Sequence, residues 1–225
     1  MSHSVINIFA TPLLVGHSDN AEIRKTICAL AYAFKANAQD AGLVSDAWDY
    51  GVTSSKQEDF DRSGVTSAYS GSLFEKPEWA AASQFIYHLA NDLVRSVYAG
   101  DDVVSLISMW TTVYPPGAYV PQHLHPNCLL SGVYYAKAPE DCGHLVFQDP
   151  SYIGKVMHNR GQGKFPTFPE KYVQEVREGL MVIFPSWLPH STQPNKSAED
   201  RIIVSFNLGF SAGVPRGGVS PAQSR

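Results

Sequence analysis

A mainly β chain with flanking α-helices, closed as a double-sheet jelly roll (double-stranded β-helix), is the fold class this sequence predicts. Three observations carry that expectation. From Asp101 to Leu208 the chain divides into about eight short β-branched and aromatic runs, each ended by Gly, Pro, Asn or Asp. Before them stand two segments whose apolar residues recur at helical spacing. A length of 225 residues is within reach of a single all-β domain with supporting helices. We therefore read one domain over 1–225, with helical support over about 1–100, a jelly-roll core over about 101–210 and a loose Gly/Pro/Ser-rich tail over 211–225.

The elements follow in order. Val5 to Val15 is apolar and β-branched but interrupted by Pro12, which predicts an edge strand or an extended lead-in. Ser18, Asp19 and Asn20 are good helix caps, and Ile23, Ile27, Leu30 and Phe34 then form one stripe of a helix that ends between Asn37 and Gly42. Asp46 to Ser70 is polar and weakly patterned, a loop with short pieces. Pro77 and Glu78 suit the first turn of a second helix, with Trp79, Ala82, Ile86, Leu89, Leu93 and Val97 as its buried stripe and Gly100 as its terminator. Both helices are expected to brace a sheet.

The strands are expected at Val103–Val113, Ala118–His123, Leu129–Ala136, His144–Gln148, Tyr172–Arg177, Leu180–Phe184, His190–Gln193 and Arg201–Leu208. On the last of these, Ile202, Val204, Phe206 and Leu208 share a wholly apolar face that should meet the helices. Arg201, Ile203, Ser205 and Asn207 share the other, which should face a cavity. Between strands, Asp149 to Glu170 carries Lys155, His158, Arg160 and Lys164 and three glycines, a candidate substrate-facing loop.

Composition narrows the function classes. A net charge of −4 and a pI near 6.0, without a basic block, give no field for nucleic acid. No apolar run reaches the ~20 residues of a membrane-spanning helix, and the N-terminus lacks a secretory pattern, so the expectation is no membrane and a cytoplasmic location. Three cysteines without a Cys-x-x-Cys pair fit reduced thiols.

The strongest chemical signal is His123 and His125, in Pro121-Gln122-His123-Leu124-His125-Pro126-Asn127, with His190 far along the chain. On extended backbone two histidines separated by one residue point to the same side. A metal that takes neutral imidazole needs such convergence, and rigid support from Pro185 and Pro189 around His190 favours it. Arg201 is the second signal, because a guanidinium facing a barrel interior is costly without an anion, and a dicarboxylate held by its planar fork would supply one. Tyr135 shares a face with Ser131 and Val133 and is the best single candidate to line the pocket, with Trp110, Tyr114, Tyr119, Tyr134 and Trp187 nearby. Cys128 is read as an apolar filler.

The segments HLHPNCLLSGVYY, VIFPSWLPH and RIIVSFN together resemble the iron(II)/2-oxoglutarate-dependent oxygenases, over roughly Trp110 to Phe210. The resemblance implies a jelly-roll core that holds Fe(II), uses 2-oxoglutarate and dioxygen as co-substrates, and oxidises a small molecule or a protein side chain. Residue by residue, it makes His123 the proximal ligand, His190 the distal ligand and Arg201 the anchor of the far carboxylate. The sequence departs from the family where most members carry Asp or Glu and this chain has His125. Either His125 ligates, or that position is left to water as in the aspartyl/asparaginyl hydroxylase branch, or His125 is proximal with Asn127 in the acid's place. The set His123, His125 and His190 is favoured. Ile203 stands where a hydroxyl residue often assists the carboxylate, so Ser205 or Ser131 would compensate. Asn127 and Trp187 complete the candidate pocket with Tyr135.

Two other classes stay open at this point: a cupin-like three-histidine metalloenzyme that does not use 2-oxoglutarate, and a non-catalytic jelly-roll binding module. Arg201 separates the first from the oxygenase reading, and metal content separates both enzymes from the module. Homo-oligomerisation is left open.

Overall fold

Asn20 begins the helical layer as expected: its side-chain Oδ1 accepts the Ile23 N–H at 3.1 Å, satisfying one of the unpaired donors of a helix start. The computed structural model describes residues 10–40, 64–67, 72–97, 104–150 and 171–210. In it, α1 spans Ala21–Asp40 and α2 spans Ala80–Val97, the latter entered through a 3-10 turn at Pro77–Trp79. The strands are β1 (Leu14–His17), β2 (Val65–Thr66), β3 (Val104–Tyr114), β4 (Leu130–Lys137), β5 (Leu145–Gln148), β6 (Lys171–Gln174), β7 (Leu180–Pro185), β8 (His190–Thr192) and β9 (Arg201–Phe210). Val5–Phe9, nearly all of the 46–70 loop, Gly100, the 151–170 part of the basic loop and the 211–225 tail lie outside the described residues.

The strands form two antiparallel sheets, one of six strands in the order β1-β7-β4-β9-β3-β2 and one of three in the order β6-β5-β8. This is the double-stranded β-helix the sequence predicts. The long central strands follow from period-two alternation. Ile202, Val204, Phe206 and Leu208 of β9 join Met109, Tyr134, Met181 and Ile183 in a core with Ile27 and Ala31 of α1 and Ala82, Ile86, Ala90 and Val94 of α2. The opposite residues, Ile203, Val133, Tyr135, Val182 and Phe184, meet Leu145 and Phe147 of the small sheet in a second core. The helices thus cover the outer face of the large sheet, and the space between the sheets is left for the site.

Two expectations need correction. Ala118–His123 is not a regular strand: it is extended backbone joined to β8 by a single bridge, His123 to His190. Pro121 has no N–H to give a ladder, and the Val120 N–H goes to the Thr192 hydroxyl at 2.9 Å instead of to a carbonyl. The lead-in is an edge strand as expected: among the described residues it is strand from Leu14, beyond Pro12, where it pairs with β7 at the edge of the large sheet. In α2, Val97 is 54% exposed, because the buried ridge runs Ile86, Ala90, Val94 at spacing four. The other strand ends shift by a residue or so, except that β6 stops at Gln174, opposite Leu145, where its antiparallel partner β5 begins.

Gly132 of β4 lies opposite Phe206 of β9, and a Cβ there would collide with the Phe206 ring. The absence of a side chain lets that ring cross the strand and fill the helix-facing core. Gly132→Ala is therefore expected to destabilise the fold by about 1–3 kcal/mol, the usual cost of overpacking. Urea unfolding of the purified variant checks this; an unchanged midpoint would mean that Phe206 is not confined.

Candidate metal centre

The site is built where the extended 120–125 segment crosses β8. The His123 N–H donates to the His190 carbonyl and the His190 N–H to the His123 carbonyl, each at 2.9 Å. Two residues on, the His125 N–H donates to the Ser186 carbonyl at 2.9 Å, tying the second histidine to the turn after β7. Because His123 and His125 are two apart on extended chain, both rings fall on the side that faces His190. Ring centroids lie 4.2 Å apart for His123–His190, 5.1 Å for His123–His125 and 5.2 Å for His125–His190. One ligand atom from each ring lies within 4.8 Å of the others, the only such metal-competent group among the described residues.

Neighbouring groups fix the rings. His123 Nδ1 bonds the Pro121 carbonyl and His190 Nδ1 bonds the Leu188 carbonyl, both at 2.9 Å, which places the proton on Nδ1 and makes Nε2 the acceptor nitrogen of each ring. Phe184 meets the His190 ring edge-on at 4.6 Å, and Trp110 stacks on His125 at 5.6 Å. Burial is the main force on the titration of all three. It pushes His190 down to about 3, with repulsion from His123 adding to it, and His125 down to about 4. Burial lowers His123 as well, against the opposing pull of the Pro121 bond. All three are neutral near pH 7, the form that ligates metal.

The cavity beside them is lined by Trp110, Tyr114, Ser131, Tyr135, Thr192 and Ser205 as well as the histidines, with Val133, Leu145, Phe184 and Ile203 as apolar wall. Ser131, Ser205 and Tyr135 are thus brought to the site. Asn127 and Trp187 are not. Asn127 is exposed in the turn after the histidine pair, with φ at 62°, and Trp187 is 54% exposed. Neither lines the cavity. Thr192 and Thr112 line it without having been singled out from the sequence. Thr192 had a readable signal: two residues after His190 on a strand, it shares that histidine's face.

Arg201 is fully buried. Its Nη1 donates to the carbonyls of Cys142 (2.6 Å), Gln193 (3.3 Å) and Gly143 (3.5 Å), its Nη2 donates to the Thr192 hydroxyl (3.1 Å), and its carbon centre lies 4.5 Å from the Tyr114 ring centroid. Its Nε has no partner, and no carboxylate pairs with it among the described residues. The guanidinium does not itself line the cavity, but Thr192 and Tyr114 touch both. A buried cation held only by neutral oxygens is electrostatically incomplete, so a dicarboxylate fits this end of the cavity and a divalent metal fits the three imidazoles at the other. Burial raises the Tyr114 and Tyr135 phenols, against the lowering pull of Arg201, so both hydroxyls remain neutral donors.

Residues 108–207 match the family model described as "Putative 2OG-Fe(II) oxygenase". That family uses Fe(II) and 2-oxoglutarate. Among solved structures, AviO1 from Streptomyces viridochromogenes Tue57 is similar at 19% identity, with 91% of this chain and 92% of that chain covered and a TM-score of 0.59. A Pseudomonas putida prolyl-4-hydroxylase is similar at 17% identity, with 88% and 92% covered and a TM-score of 0.54. A Trichoplax adhaerens prolyl hydroxylase, solved with a hypoxia inducible factor oxygen degradation domain peptide fragment, is similar at 12% identity, with 87% and 82% covered and a TM-score of 0.55. At these identities the likeness is one of fold. No curated protein matches the chain by sequence. None of the described helices is long and apolar enough to cross a membrane.

The depressed histidines give a signed pH dependence. In the unfolded chain each protonates near pH 6.5, whereas the folded chain resists protonation down to about 4 at His125 and about 3 at His190. Below pH 6.5 the unfolded state binds more protons, so metal-free protein loses stability as pH falls, by up to about 1.4 kcal/mol per pH unit for each such group. Denaturant melts between pH 6.5 and 5 in the presence of a chelator should show this slope, reduced in His190→Gln. Equal slopes for the two proteins would place His190 in water.

Proposed function

We propose that this chain, whose residues 108–207 match the 2OG-Fe(II) oxygenase family model, is an Fe(II)- and 2-oxoglutarate-dependent dioxygenase of the hydroxylase type acting on a small molecule or a protein side chain. The observation that carries this reading is the pairing of two features in one hollow. Three neutral imidazoles converge at one end, and a fully buried guanidinium with no carboxylate partner among the described residues stands behind the wall at the other.

In this reading His123, His125 and His190 hold Fe(II), and Arg201, with Thr192 and the neighbouring hydroxyls of Ser131 and Ser205, holds 2-oxoglutarate. When bound, the metal and co-substrate supply the oxidising chemistry: dioxygen is consumed, 2-oxoglutarate loses carbon dioxide to become succinate, and a substrate C–H becomes C–OH. The chain's own part is orientation and exclusion. The Pro121 and Leu188 carbonyls keep Nε2 of His123 and His190 turned to the metal. Val133, Leu145, Phe184 and Ile203 keep water from the reacting face. The Thr192 hydroxyl, braced by Arg201 and by the Val120 N–H, stands ready to meet a carboxylate. A ligand set with no carboxylate leaves the full metal charge to be met by the co-substrate, which favours a dianion.

A three-histidine enzyme without 2-oxoglutarate draws support from one observation, the engagement of both Arg201 Nη groups by protein oxygens. One titration decides between the readings. Fe(II) and 2-oxoglutarate added without air should give the weak visible charge-transfer band of the chelate. His190→Ala should abolish the band, and Arg201→Ala should shift its 2-oxoglutarate midpoint upward by about 10-fold or more, the loss of a charge-assisted bond. Absence of the band in the wild type, or its unchanged midpoint in Arg201→Ala, would overturn the assignment.

A further inference from the structure

The chain closes around Arg201 at a corner where strand pairing stops. The β3–β9 ladder ends at the cross-strand pair Tyr114–Arg201, and the next two residues, Pro115 and Pro116, have no N–H to extend it. The Tyr114 carbonyl takes a hydrogen bond from a side chain instead: Asn195 Nδ2 donates to it at 3.0 Å and to the Glu199 carbonyl at 2.7 Å. Asn195 Oδ1 accepts the Ser197 N–H at 3.1 Å and the Ser197 hydroxyl at 2.7 Å. The main chain of Asn195 is engaged too. The Gly117 N–H donates to its carbonyl at 2.6 Å, and its own N–H donates to the Ala118 carbonyl at 3.0 Å. Asn195 is 1% exposed, and both donors and both lone pairs of its amide are used inside one loop junction.

That junction frames the guanidinium. Two residues before Asn195, the Gln193 carbonyl accepts from Arg201 Nη1 at 3.3 Å; three before it, the Thr192 hydroxyl accepts from Nη2 at 3.1 Å. Across the junction, Tyr114, whose carbonyl Asn195 holds, places its ring centroid 4.5 Å from the Arg201 carbon centre. The Asn195 amide thus ties together the two segments that carry these partners. At the metal end the same two stretches of chain are joined by the main-chain bridge of His123 and His190, which does not pass through the Asn195 side chain.

We infer that Asn195 is the positioning residue for the Arg201 end of the cavity: its amide locks the Tyr114 carbonyl to the loop that carries Thr192 and Gln193, and so fixes the guanidinium together with the hydroxyl and the ring through which the cavity meets it. Asn195 does not line the cavity, so it acts through Arg201, Thr192 and Tyr114 and not on a ligand. That the ligand held at this end is 2-oxoglutarate rests on the proposed oxygenase function; the placing of Arg201 does not.

Two measurements on the full chain test this. Nitrogen-15 NMR follows the Arg201 Nε–H, which is buried and without a partner, and which is identified by its loss in Arg201→Lys. Asn195→Ala is expected to speed its exchange with water by about 10-fold, the opening of a junction short of one hydrogen bond. The main-chain amide of Phe206, in the core of β9, should keep its wild-type rate. In the second measurement Co(II), added alone and without air, should bind Asn195→Ala with wild-type affinity. Titrated into that Co(II) protein through its visible bands, 2-oxoglutarate should have its midpoint raised by about 3–10-fold. In the Arg201→Ala background Asn195→Ala should raise the midpoint no further, since its effect passes through that guanidinium. Should the alanine variant fail to fold, Asn195→Ser, too short to reach the Tyr114 carbonyl, must show the same changes. Wild-type exchange at Arg201, or a rise that Phe206 shares in full, would overturn the assignment, and so would an unmoved midpoint or a weakened Co(II) affinity. Wild-type Co(II) bands that ignore 2-oxoglutarate would sink the oxygenase reading instead, and the exchange rates alone would then decide the role of Asn195.

Discussion

The reciprocal main-chain bridge between His123 and His190 is the constraint on which the site depends. It joins two segments distant in sequence by two hydrogen bonds of 2.9 Å and sets their rings 4.2 Å apart. Everything else at the centre takes its place from that bridge. Period-two alternation carries His125 to the same side, the Ser186 carbonyl holds its backbone, and the carbonyls of Pro121 and Leu188 turn Nε2 of the two bridged rings outward. Rings placed by main chain are placed precisely enough for coordination chemistry, because little side-chain freedom is left to lose when a metal binds.

The two sheets divide the labour. The outer face of the large sheet is committed to the helices, through an apolar layer. The inner face carries the row from Ser186 through Ser131 and Asn207 to Ser108, then the cavity, then Tyr114 and Arg201 at the far end of the same strands. One strand, β9, contributes to both layers and to both ends of the site. Its even-numbered residues build the core, and its odd-numbered residues run from the guanidinium of Arg201 to the amide of Asn207, which bonds Ser131 and Ser108.

Much of this was legible in the sequence, and the part that was not has a physical reason. The alternation in Arg201-Ile202-Ile203-Val204-Ser205-Phe206-Asn207 predicts both faces of β9, and the structure has them. The His-x-His spacing predicts two rings on one side of extended backbone, as found. Proline explains the main departure, since a segment containing Pro121 has the extended shape of a strand but cannot supply the ladder of one. Most of the surroundings of Arg201 could not be read: apart from the Thr192 hydroxyl and the Tyr114 ring, its partners are main-chain carbonyls of Cys142, Gly143 and Gln193, groups that every residue has and that only chain closure brings together. Trp187 failed as a pocket residue for a related reason, because its neighbours in sequence are at the site while its own position in the turn directs it to solvent.

The central claim is that one ion gathers three imidazoles from two distant segments of the chain. X-ray absorption at the iron edge of Fe(II)-loaded protein, prepared without air, tests it most directly. The account predicts a nitrogen/oxygen shell near 2.0–2.2 Å with the multiple-scattering signature of three imidazoles, falling to two in His125→Ala. A spectrum with no imidazole scattering, or one that is the same in the wild type and His125→Ala, would contradict it.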